Sequence, residues 1–175
     1  MLLAENERFA FFSKVQEKLN VVFNYDDLMI QGFPEKDFLE KKIFLDKNGQ
    51  KWADEWENAK TDYYKSQFLK HLNKNVNPEK LRLLCGDYPD ALYQSTVRVL
   101  TVGRNWDITC EVIFKRIGDS VPLAIITVKG KQSKTIGRIR GVGPNVYQTA
   151  RSFGYAGQNL GKFMEWKMFK YMTKI

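Results

Sequence analysis

Between Thr96 and Lys129 the chain alternates apolar and polar residues in three runs, 96–102, 106–116 and 121–129, parted by Gly103-Arg104-Asn105 and Gly118-Asp119. A period of two is the pattern of a strand with one buried face, and Gly beside Asn or Asp between two such runs marks a turn. The runs predict an antiparallel three-stranded meander. In the middle run Ile108, Cys110, Val112 and Phe114 share one face, and Asp107, Thr109, Glu111 and Lys115 share the other. One face is therefore core and the other is wet.

What covers the apolar face follows in the chain. A basic, Gly-containing loop from Lys129 to Gly143 leads to Pro144, a residue suited to a first helical position. Beyond it Val146, Ala150, Phe153, Gly157, Leu160, Met164, Met168 and Tyr171 form a stripe at helical spacing that can pack on the sheet. Tyr147, Arg151, Tyr155, Gln158 and Lys162 occupy another face, free for a ligand. Gly154, Gly157 and Gly161 each weaken such a helix by about 1 kcal/mol relative to Ala. They mark either close packing or a break.

The N-terminal part reads as helical. Phe9, Phe12, Val15, Leu19, Val22 and Phe23 predict an amphipathic helix from Glu5 to Phe23. A strand over Lys42 to Leu45, the turn Asp46-Lys47-Asn48-Gly49 and a second helix follow, with Trp52, Trp56, Ala59, Tyr63 and Leu69 or Leu72 on its core side. Asn75-Val76-Asn77-Pro78 ends that helix, and Leu81 to Leu84 reads as a short helical turn. The 175 residues thus suit a single α+β domain. It has N-terminal helices in an acidic part, 1–90, and a basic β-β-β-α core, 91–175, whose three-stranded antiparallel sheet is packed by a long C-terminal helix. With 43% hydrophobic and 27% charged residues the chain can bury a core without metal or disulfide.

Apolar stretches such as Val121 to Val128 are too short to span a bilayer, and Glu5 and Glu7 stand where a signal peptide would be basic. Cys85 and Cys110 form no CxxC pair and read as inert thiols of a reducing compartment. The expected location is the cytoplasm, with no membrane partner.

The net charge of +8 is unevenly spread: residues 1–90 carry 14 Lys and Arg against 16 Asp and Glu, and residues 91–175 carry 14 against 4. From Asp119 to Glu165 no acid intervenes, while Lys129, Lys131, Lys134, Arg138, Arg140, Arg151 and Lys162 all fall in that gap. Such a bias suits phosphate neutralisation, although a solvated basic face would show it too. Six of the eight arginines lie in this half, and Arg forms bidentate phosphate contacts that a solubilising Lys need not. Tyr147 and Tyr155 add rings on which bases can stack.

Motifs for catalysis are incomplete. The lone His71 lacks a second His or a CxxC and reads as a surface residue. Ala156-Gly157-Gln158-Asn159-Leu160-Gly161-Lys162-Phe163 departs from a phosphate-binding loop at Ala156, where Gly belongs, and at Phe163, where Ser or Thr would hold Mg²⁺. The run from Asp46 to Glu57 has Lys51 where a calcium loop needs Gly. Asp107, Glu111 and Lys115 give a nuclease flavour, but a four-residue step along a strand spans ~13 Å, too far for one metal. A non-enzyme without cofactor or metal is expected, and a metal-dependent nuclease is a minor alternative.

Ile139-Arg140-Gly141-Val142-Gly143-Pro144 is similar to the hairpin of a helix-hairpin-helix element, and equally to a Gly-rich loop opening a helix. Either offers amides to an anion beside Arg138 and Arg140. The run from Gln148 to Gly161, QTARSFGYAGQNLG, after a meander and a basic loop, resembles the core of single-strand annealing proteins of the phage Erf and Sak type. The resemblance covers residues 95–161. It implies a β-β-β-α core, ATP-independent binding of single-stranded DNA in an oligomeric ring or filament, and annealing of complementary strands. It would put Arg151 on the DNA-facing helix and Lys129, Lys131, Lys134, Arg138 and Arg140 on the groove wall. Residues 1–90 have no counterpart in that family. The expected partners are single-stranded DNA or RNA and a second copy of the chain. The rival reading is a small phage or mobile-element protein that blocks a host nucleoprotein defence complex.

Overall fold

The computed structural model describes residues 18–76, 83–131 and 144–172. Its centre is a seven-stranded mixed sheet, in place of the expected three-stranded antiparallel one. Strand β1 (Lys18–Asn24) runs parallel to β4 (Leu84–Gly86) on one side and to β5 (Tyr93–Val102) on the other. Strand β2 (Met29–Ile30) continues along β5, and β3 (Phe33–Pro34) pairs antiparallel with β2. The predicted meander is present as β5, β6 (Ile108–Arg116) and β7 (Ala124–Gly130), antiparallel throughout.

The correction begins at β1. Leu19, Val22 and Phe23 fit a helical period when read with Phe9 to Val15, but Leu19, Val21 and Phe23 fit a strand equally well. Leu19 and Val21 are buried, and the β-branched and aromatic run favours an extended backbone once β4 and β5 flank it. Residues 5–17 of the expected helix lie outside the described residues. Leu84, expected in a helical turn, is the first residue of β4.

Lys42 to Leu45 is the last turn of a helix, α1 (Glu35–Leu45), and not a strand. Pro34 precedes it, Glu35 and Asp37 stand in its first turn and Lys42 in its last, the arrangement that complements a helix dipole. These signals outweigh the short apolar run Ile43-Phe44-Leu45. After Asp46-Lys47-Asn48, helix α2 (Gly49–Ala59), a π-helical turn (Lys60–Tyr64) and α3 (Lys65–Asn75) follow without a break. The last described helix is α4 (Pro144–Met172), which begins at the predicted proline.

Inside, the alternation holds. Tyr93, Ser95, Val97 and Val99 of β5 are buried, and a bulge between Val99 and Thr101 shifts the count by one so that Val102 is buried as well. Ile108, Cys110, Val112 and Phe114 of β6 are buried beside them, as are Ala124 and Val128 of β7. Helix α4 covers this face with Val146, Ala150, Phe153, Leu160 and Met164. Phe153 stacks on Tyr64 at 4.8 Å between centroids and lies 6.2 Å from Phe23, which joins helix, rod and sheet in one core.

The glycines of α4 mark close packing. A Cβ at Gly157 would stand 2.2 Å from the Phe68 carbonyl oxygen, and one at Gly161 would stand 2.7 Å from the Asn75 Cβ. Gly130 of β7 does the same service on the sheet side, where a Cβ would meet the Ser152 carbonyl oxygen at 1.8 Å. His71 is half-buried in the α3–α4 seam against Gly154 rather than on the open surface, and burial, with Lys70 and Lys74 nearby, holds its pKa below the ordinary value.

Candidate nucleic-acid interface

Helix α4 turns its glycine and apolar stripe inward, so the residues about 100° per step away from it face out. Tyr147, Arg151, Tyr155 and Gln158 are partly buried and Lys162 is exposed. Along a straight helix these five fall within about 80° of arc, one narrow strip. The Arg151 guanidinium lies 5.9 Å from the Tyr147 ring centre, and its Nη2 stands 3.5 Å from the Tyr155 hydroxyl. The cation is therefore held between two rings one turn to either side of it. Glu165, three residues beyond Lys162, closes the strip with the first carboxylate.

Strand β7 forms the border of the sheet and pairs with β6 alone. Gly130 presses against α4 at Ser152, and Asn159 Nδ2 donates a 2.7 Å hydrogen bond to the Lys129 carbonyl. Lys129 and Lys131 are exposed. By register Lys129 is opposite Thr109 and shares the sheet face that α4 does not cover. Lys129 and the α4 strip thus lie on either side of the border of the sheet. Lys134, Arg138 and Arg140 lie outside the described residues.

Two other basic residues of this half, Arg98 and Lys167, are already engaged. Arg98 Nη2 stands 2.5 Å from Asp27 Oδ2, and its Nη1 stands 3.2 Å from Glu111 Oε1. Two carboxylates hold its pKa above the ordinary value, with the bond to Asp27 the largest cause. Lys167 is buried, its ammonium 4.7 Å from the Trp166 ring centre. The sequence signal for Arg98 was cross-strand placement beside Glu111, readable once the meander register was known.

The suspected metal set does not assemble. Glu111 is bound to Arg98, Lys115 lies opposite Gln94, and Asp107 sits in the turn before β6 rather than on it. Burial pushes the thiols of Cys85 and Cys110 up to about 12, so both are thiols and not thiolates at neutral pH.

No family model matches the chain, and no curated protein matches it. Among solved structures it is similar to protein XCC0632 from Xanthomonas campestris, of family DUF330, with 9% identity, a TM-score of 0.39, and coverage of 93% of this chain and 89% of that one. So remote a likeness carries no argument about function. The resemblance to annealing proteins rests on its sequence run and on nothing in these comparisons. Among the described residues no helix is long and apolar enough to cross a membrane.

Proposed function

We propose that the outer strip of α4 binds single-stranded nucleic acid without reading its sequence. The observation that carries this is the alternation Tyr147, Arg151, Tyr155, Lys162 on one face, with Arg151 held against the Tyr147 ring. Rings supply stacking that every base accepts, and cations supply phosphate neutralisation. Lys129, on the neighbouring border strand, and Lys131, just after it, add to the positive field beside the strip. The residues 132–143, which connect β7 to α4, add Lys134, Arg138 and Arg140 in sequence. Stacking and charge explain affinity for either DNA or RNA.

Fluorescence anisotropy of a labelled single-stranded oligonucleotide against rising salt tests the reading. Log affinity should fall linearly with log salt, and duplex of equal length should bind more weakly because its bases offer no open face. No binding at low salt, or binding indifferent to salt, would sink the proposal.

A further inference from the structure

Among the described residues the helices gather on the buried face of the sheet and leave the other, outer face open. By register Val22, Thr96, Ile113 and Ile125 stand side by side across it, on β1, β5, β6 and β7. Val22 is 39% exposed and Ile125 54%, and Thr96 and Ile113 are half-buried. Two residues to one side lies the row Asn24, Arg98, Glu111 and Thr127, and two residues to the other lies the row Asn20, Gln94 and Lys115. Tyr88 borders the second row, its N–H donating to Asn20 Oδ1 at 3.0 Å. Beyond that row the alternation brings exposed Leu84, Leu92 and Ile117 to the same face, where Ile117 N–H continues the β5–β6 ladder to the Leu92 carbonyl at 3.0 Å. Apolar side chains thus form one stripe through the middle of an open sheet face and a second at its margin.

Arg98, Glu111 and Lys115 are the charged residues of the three central rows, and Lys18 and Lys129 stand at the margins. Arg98 is held by Asp27 and Glu111, and Lys18 lies 3.6 Å from Asp90. Lys115 has no ion pair among the described residues. On β6 Ile113 lies midway between Glu111 and Lys115. A second copy turned over about the Ile113 row therefore sets residue 113 against its own counterpart, Lys115 against the partner's Glu111, and Arg98 against the partner's Gln94. Signs then alternate through Asp27, Arg98, Glu111 and the partner's Lys115, and no like charges meet in the three rows. A two-fold along the strands would instead set Lys115 against Gln94 and leave it without an acid. Aligned sheets pack about 10 Å apart, a gap that a Lys and a Glu side chain span together. Four strands about 4.8 Å apart, over eight residue steps of about 3.3 Å, offer roughly 500 Å² per copy and about 1,000 Å² for the pair, which reaches the size of a specific interface.

We propose that two copies of the chain pack outer face to outer face across the Val22, Thr96, Ile113, Ile125 row, giving a four-layer dimer with the helices outside. The α4 strip lies on the helix side, away from this interface, so the inference is independent of nucleic-acid binding. Sedimentation equilibrium of the full chain, freed of nucleic acid, tests it and should show a dimer at micromolar concentration. Ile125→Asp and Ile125→Lys should each be monomeric with unchanged circular dichroism, because residue 125 lies outside the core and would meet its own charge across the axis. An equimolar mixture of the two variants should re-form the dimer, since an Asp then faces a Lys. Lys115→Glu, set against the partner's Glu111, should weaken association at least about tenfold, because like charges then oppose each other. The proposal is overturned if the wild type is a monomer at high micromolar concentration, or if Ile125→Asp dimerises like the wild type. It is equally overturned if the mixed variants stay monomeric, since residue 125 then does not face its own counterpart.

Discussion

Gly157 meets the backbone of Phe68 so closely that a Cβ at residue 157 would stand 2.2 Å from the Phe68 carbonyl oxygen. An isolated helix gains about 1 kcal/mol from Gly→Ala, so propensity favours the change while the α3–α4 seam opposes it. Neither side of the contact is a flexible side chain. Gly157→Ala should therefore lower unfolding stability by about 1–3 kcal/mol, the range of overpacked cores. Urea unfolding of the variant decides this, and a stabilised variant would mean that the seam yields.

Arg151 and Lys162 are expected to hold phosphates, and Arg98 is not. Arg151→Gln with Lys162→Gln should reduce the slope of log affinity against log salt by about 0.7 per residue, about 1.4 in all. Arg98→Gln should leave the slope unchanged, because Asp27 and Glu111 already hold that guanidinium. Equal loss in the two variants would show that net charge alone governs binding.

Tyr147→Ala and Tyr155→Ala test stacking. Each should cost about 1–3 kcal/mol of affinity for single strands if one base lies on each ring. The salt slope should not move, since no cation is removed. A changed slope with unchanged affinity at low salt would argue that the rings act only by positioning Arg151.

The thiols give a check on burial. With pKa values pushed up to about 12, Cys85 and Cys110 should resist a disulfide reagent at pH 8 until denaturant is added. Their folded pKa lies above the unfolded value, so the stability they contribute is complete below the unfolded pKa near 9.0 and is lost as pH rises toward 12. Rapid labelling of either cysteine without denaturant would show that its strand opens.

His71 shifts the opposite way. Its folded pKa is below the ordinary 6.5. Below pH 6.5 the unfolded chain takes up the proton first, so stability present above 6.5 should decline as pH falls through the folded pKa. His71→Gln should flatten this decline in denaturant midpoints taken between pH 7.5 and about 5.5. An equal decline in the variant would assign it to carboxylates instead.

The meander was legible because β5, β6 and β7 have one buried face, and Ile108, Cys110, Val112 and Phe114 alternate with wetter neighbours. Strand β1 was not. A short parallel strand between two others has little reason to alternate, and Leu19, Val22 and Phe23 happen to continue a helical period. Lys42 to Leu45 misled for a different reason: three exposed apolar residues imitate a strand when burial is assumed from side-chain type. The outer strip of α4 was readable residue by residue, because helical spacing fixes which side chains share a face. Its relation to Lys129 was not, since that depends on which side of β7 the register turns each residue.

The π-helical turn at Lys60–Tyr64 acts as a phase corrector. Ala59 and Phe68 are both fully buried, yet nine residues of ordinary α-helix would set them about 180° apart. One residue absorbed in the wider turn takes up about 100° and brings the two halves of the rod back to the same side. Exposed Thr61 and Asp62 should accept many replacements, and deletion of Asp62 alone should close the turn into ordinary α-helix with Phe68 and Leu72 still facing α4, since eight residues of α-helix reach the same phase as nine with one absorbed.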